Sequence, residues 1–178
     1  MKITCLLLCF TLLQTAHGQD FCSLVKKEVS PDKTIFDFSS PYDQANVPPI
    51  RVSRNYVLNE DNPSDNFFII FQITGDLDNI YKKAPDGSQV EKEEQKLRVE
   101  FEDKTIFVDD TIKISHDFTN DKTQAIRYVF YPLTEGTLKN FTTKKIAKFS
   151  LAGYEQPLQP DSANAVMHYV DCIRAAKK

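Results

Sequence analysis

Phe67-Phe68-Ile69-Ile70-Phe71-Gln72-Ile73 decides how this chain folds. Its aromatic and β-branched side chains suit a strand. Neighbouring side chains on a strand point to opposite faces, so a strand with one wet face alternates apolar and polar residues. This stretch does not alternate. It therefore predicts a strand covered on both sides, and a sheet with one solvated face does not suffice. A polar loop, Asn59 to Asn66, precedes the run, and Gly75-Asp76 ends it.

The flanking sequence supplies partners for that strand. Thr34 to Phe38 and Ile50 to Leu58 read as strands before it, separated by a loop from Ser39 to Pro49 that holds Pro41, Pro48 and Pro49. A weaker strand, Leu77 to Lys83, follows, and then a solvated stretch from Ala84 to Gln95 with the turn Pro85-Asp86-Gly87. Leu97, Val99 and Phe101 alternate with Arg98, Glu100 and Glu102, and Ile106 and Val108 answer across Asp103-Lys104, which makes a hairpin. Ile112 to Phe118, Ile126 to Tyr131 and Lys145 to Leu151 complete the strands, the last of these being the final one expected.

Three stretches carry a helical period. Phe21, Cys22, Val25 and Val29 predict a short amphipathic helix that stops before Pro31. Leu133 to Phe141 holds one or two turns with Thr134 as N-cap. Ala163, Val166, Met167, Val170 and Ile173 form the stripe of a longer helix that Asp161 or Ser162 caps. The fold class predicted is α+β and β-rich. An antiparallel sheet or sandwich of about eight short strands carries N-terminal and C-terminal helices that pack together against it and are joined by a disulfide. The C-terminal helix is the expected cover for the second face of Phe67 to Ile73.

That disulfide follows from the export signal. Met1 to Gly18 reads as a secretory signal peptide: Lys2, an apolar stretch from Ile3 to about Leu13, and Ala16-His17-Gly18 as the cleavage site. The apolar stretch is shorter than the roughly 20 residues that span a bilayer, so no membrane span is expected once the leader is gone. Cys9 lies within that stretch, which argues against a lipidated cysteine. Residues 19–178 then form one globular domain that is secreted or periplasmic, with Cys22 and Cys172 as its two remaining cysteines. A bridge between them closes almost the whole polypeptide, for a stabilisation of about 4 to 5 kcal/mol on the chain-entropy model. Without Lys2 the chain carries 21 basic against 25 acidic residues. Nothing in that balance is an electrostatic footprint for nucleic acid.

The residues that do chemistry are sparse. After the leader the chain holds two histidines, His116 and His168, which limits acid and base chemistry near neutral pH. Ser115-His116-Asp117 is not a triad, because consecutive strand residues point apart and catalysis needs a nucleophile, base and orienting acid that converge. His168 lies nearly opposite the apolar stripe of its helix, on the side expected to face solvent. There is no Gly-x-Ser-x-Gly elbow, glycine-rich phosphate loop or His-Glu-x-x-His helix. The sequence therefore assigns no catalytic, cofactor-binding or metal-ligating residue. Asn59 to Asn66 offers hard oxygen ligands for calcium but lacks EF-hand spacing and its glycine, and the pairs Asp76/Asp78 and Asp109/Asp110 make the same offer more weakly. Asn140-Phe141-Thr142 is an N-glycosylation acceptor in a eukaryotic host. Tyr42, Tyr56, Tyr81, Tyr128, Tyr131 and Tyr154 are candidate platforms for a sugar, set against the ordinary role of tyrosine at the rim of a β-structure. The expectation is a non-catalytic binding or interaction domain for an unknown protein or small ligand. A carboxylate-dependent secreted hydrolase and a structural component of a cell-surface assembly are the alternatives.

Overall fold

A computed structural model describes residues 21–39, 49–57, 63–76, 81–83, 85–86, 89–91, 96–119 and 122–176. The signal peptide, Tyr42, Asp78 and residues 59–62 of the calcium-candidate loop lie outside them. The chain opens with a 3₁₀ helix, Phe21–Leu24, followed by β1 (Lys26–Val29), β2 (Lys33–Ser39), β3 (Ile50–Val57) and β4 (Ser64–Asp76). Next come β5 (Tyr81–Lys83), β6 (Gln89–Glu91), β7 (Leu97–Phe101), β8 (Ile106–Asp109), β9 (Ser115–Phe118) and β10 (Gln124–Pro132). Helix α1 (Glu135–Thr143), β11 (Ile146–Leu151), β12 (Tyr154–Pro157) and α2 (Pro160–Ala175) complete it. Among the described residues no helix is long and apolar enough to cross a membrane.

The strands build a six-stranded antiparallel sheet in the order β1-β2-β3-β4-β10-β9 and a four-stranded one in the order β12-β11-β7-β8, with β5 and β6 paired apart. Residues directly opposite in a ladder share a face. Val52 pairs with Ile69 and Ile69 with Tyr131, while Ile50 pairs with Phe71 and Phe71 with Val129. These side chains form the inner face of the large sheet, and all are buried. The small sheet answers with Leu97, Val99, Phe101, Ile146, Phe149 and Leu151. Phe71 lies at the centre, its ring 5.1 Å from Phe149 and 6.2 Å from Phe141 of α1.

Helix α2 occupies the rest of the inner face. Arg54 and Tyr56, on the core side of β3, bond its end: Arg54 Nη1 donates to the carbonyls of Arg174 at 2.7 Å and Ile173 at 3.3 Å, and Tyr56 Oη to that of Ala176 at 3.3 Å. A cation here bonds carbonyls of the last turn and opposes the negative end of the helix dipole. Asp65 holds that guanidinium from the other side, accepting from Nε at 2.9 Å and Nη2 at 2.8 Å. A disulfide joins Cys172 of α2 to Cys22 of the 3₁₀ helix, with Cα atoms 5.2 Å apart.

Several expectations need correcting. The N-terminal helix is only the 3₁₀ turn, and residues 26–29 form β1 against β2. Nine residues ending in β-branched valine are too few for a stable helix, and the edge of β2 offers a full ladder instead. There are twelve strands among the described residues rather than about eight. The sandwich is met only in part: two antiparallel sheets share one core, but α1 and α2 fill a portion of the space between them. The cap of α2 is Gln159, with Pro160 as its first residue, where proline's missing N–H costs nothing. That helix covers the inner face beside β3, not the second face of β4.

Candidate functional site

The second face of β4 is therefore the surface to explain. Ladder partners place Arg51, Ile70 and Phe130 in one row across the outer face of the large sheet. Asp37, Ser53, Phe68 and Pro132 form a second row, and Gln72, Tyr128 and Ser115 a third. Asn55 stands beside these, opposite Asn66. Apolar and polar groups are sorted across the strands. Aromatic rings gather over β4 and β10, and planar polar groups over β2, β3 and the end of the core run.

The aromatic part is ordered by its own contacts. Phe130 sits edge-on to Phe68, centroids 5.3 Å apart and planes at 79°, and edge-on to Tyr128 at 5.7 Å and 87°. Such T-shaped pairs are the preferred geometry of ring quadrupoles and hold the rotamers of all three. Phe130 nevertheless remains 51% exposed. Ile70, flanked in the ladders by Arg51 and Phe130, is only 6% exposed, and Ser53 only 5%. Large side chains thus stand up from the sheet around small ones.

The polar part is incompletely satisfied. Arg51 Nη2 donates to Asp37 Oδ2 in an ion pair. Asp37 Oδ1, Arg51 Nε, Asn55 Oδ1 and Gln72 Nε2 are shielded from solvent and have no hydrogen-bond partner. Native proteins leave few such groups, and each calls for an explanation. All four belong to one face, spread over successive rows of the sheet from Asn55 to Gln72.

A second feature lies where the edges of the two sheets meet. An open cleft of about 550 Å³ is lined by residues 110–116. β9 sends Ser115 and Asp117 to the outer face with Tyr128 and Ile126, and His116 to the inner face opposite Arg127. Ser115, His116 and Asp117 are thus kept apart as strand geometry requires. Arg127 is 1% exposed, and its guanidinium lies 4.9 Å from the ring of Tyr154. Burial of a guanidinium against an aromatic face strengthens the attraction between them.

The remaining candidates from the sequence are scattered. Tyr56 and Tyr131 are in the core, where burial raises the pKa of both phenols, and Tyr154 covers Arg127. Tyr128 alone among the described candidate tyrosines belongs to the outer aromatic group. Asn140 lies in α1, half-buried, beside Phe141 in the core. His168 is half-buried on α2 rather than fully open to solvent. Asp65 is committed to Arg54, and Asp109 Oδ1 accepts from the backbone N–H and hydroxyl of Thr111. Asp103 is held down to about 2 by hydrogen bonds from Thr105 and Lys144, the reverse of what a general acid needs. Among the described residues no three His, Cys, Asp or Glu side chains gather to hold a metal ion. Phe68 and Phe130 were not singled out by sequence reasoning. Comparison with protein-family models, with curated proteins and with solved structures finds no match.

Proposed function

We propose that this protein is a non-catalytic binding module, exported to the cell exterior or periplasm, whose contact surface is the outer face of the six-stranded sheet. One observation carries this reading. Phe130 stays half exposed on the outer face of the sheet while Phe68 and Tyr128 fix its orientation. A single exposed apolar residue is unremarkable, but an ordered aromatic group beside unsatisfied polar atoms costs stability that a bound partner returns. The cleft at residues 110–116 is the competing location, and its wide opening and single-segment lining favour it less.

Titration of isotope-labelled protein with a small library of aromatic, aliphatic and polyol fragments, followed by amide chemical shifts, tests the location. Perturbed amides are expected in β3, β4 and β10. Shifts confined to residues 110–116, or none anywhere, overturn the proposal.

A further inference from the structure

We infer that the occupant of this face is a neutral carbohydrate chain. The inference rests on the contact surface proposed above and adds the chemistry of its ligand. Three features select it. Phe130 offers an exposed ring on a rigid sheet, which suits the apolar C–H face of a pyranose. The neighbouring open valences are mixed: Arg51 Nε and Gln72 Nε2 donate, whereas Asp37 Oδ1 and Asn55 Oδ1 accept. A hydroxyl group is both donor and acceptor, so a chain of sugar units laid along these rows meets both kinds. Arg51, Asn55 and Gln72 are only half-buried, so modest side-chain rotation brings these atoms to a ligand.

Charge supplies the third feature. Across the outer face of the large sheet Lys26, Lys33 and Arg51 stand against Glu28, Asp37 and Asp117, so neither sign prevails, and Arg51 is paired directly with Asp37. A neutral surface gives no steering to nucleic acid or to anionic lipid. An apolar protein patch would cover the rings but leave the four polar valences unmet, which is unfavourable.

Binding of the full protein to an array of neutral oligosaccharides, followed by calorimetric titration of the best-bound soluble one, tests the inference. Wild type is expected to bind at least one neutral class. Phe130→Ala is expected to weaken that binding by about tenfold, as loss of a stacking ring does. Gln72→Leu should weaken it by about fivefold through loss of one hydrogen-bonding group, with Lys113→Ala in the cleft as an unaffected control. The melting temperature of each variant confirms that it folds. No binding to any neutral glycan overturns the inference; if fragments still perturb β3, β4 and β10, the contact face survives and only its ligand is wrong. Glycan binding that Phe130→Ala leaves intact, or self-association through this face that Phe130→Ala abolishes, also overturns it.

Discussion

Ile69 and Phe71 on one side of β4, and Phe68, Ile70 and Gln72 on the other, come from one uninterrupted run but meet different surroundings. The inner set is sealed: Ile69 and Phe71 are 0% exposed, and Phe71 lies against Phe149 of the small sheet and Phe141 of α1. The outer set stands among its own ladder partners, with Phe130 half exposed and four polar atoms unmet. Hydrophobicity alone does not separate a core from a contact surface. What separates them is whether the polar groups nearby are satisfied and whether another element lies on top.

The sharpest way to break that contrast is to truncate a ring on each face. Phe71→Ala is expected to destabilise by about 3 to 5 kcal/mol, because the small sheet and α1 cannot both collapse into the cavity. Phe130→Ala should cost less than about 1 kcal/mol, as a substitution outside the core. Urea unfolding of the two variants measures the difference, and near-equal losses would mean that the outer face is core as well. A second, smaller effect sharpens the account of how the inner face is closed. Arg54→Ala removes the guanidinium that ties Asp65 to the end of α2, and should cost about 2 kcal/mol, with amide exchange rising in the last turn of that helix. The same substitution is expected to leave amides of β9 and β10 unchanged.

The smallest effect belongs to neither face. Thr105 and Lys144 hold the Asp103 carboxylate at about 2, below its ordinary 3.8. A carboxylate lowered in the folded state contributes stability that is complete above its unfolded pKa and is lost as pH falls through the folded one. Its share therefore fades between about pH 4 and 2, and Asp103→Asn should flatten that part of the stability curve. Carboxyl carbon shifts followed through the same range locate the titration directly. A midpoint near 4 for Asp103 would show the turn to be unimportant.

Some of this was legible beforehand. The lack of alternation in residues 67–73 located a strand with two faces to account for, the hairpin at 97–108 alternated cleanly, and Thr134 marked the start of α1. There its backbone N–H donates to Thr137 Oγ1 at 3.0 Å. β12 was hidden because its hairpin turns through Ala152 and Gly153, both at positive φ, and alanine there is not a turn signal. The position of α2 was hidden because amphipathic spacing says which side of a helix is buried, not against what. The outer face was the least legible part. Tyr128 could be named as a candidate, but Phe68 and Phe130 meet only through the ladder between β4 and β10, and no local pattern encodes that register.

That ladder has a consequence for how the molecule comes to exist. Its closing pair joins Asp76 to Gln124, so β4 and its neighbour β10 are connected by a long excursion that includes β7, β8 and β9. Contacts between segments so distant along the polypeptide form only after most of the loop entropy has been lost, which slows assembly. Until β10 arrives, β4 presents six apolar residues among seven successive positions, with an open edge. The interval between synthesis of β4 and its capture by β10 is when this protein is most exposed to aggregation.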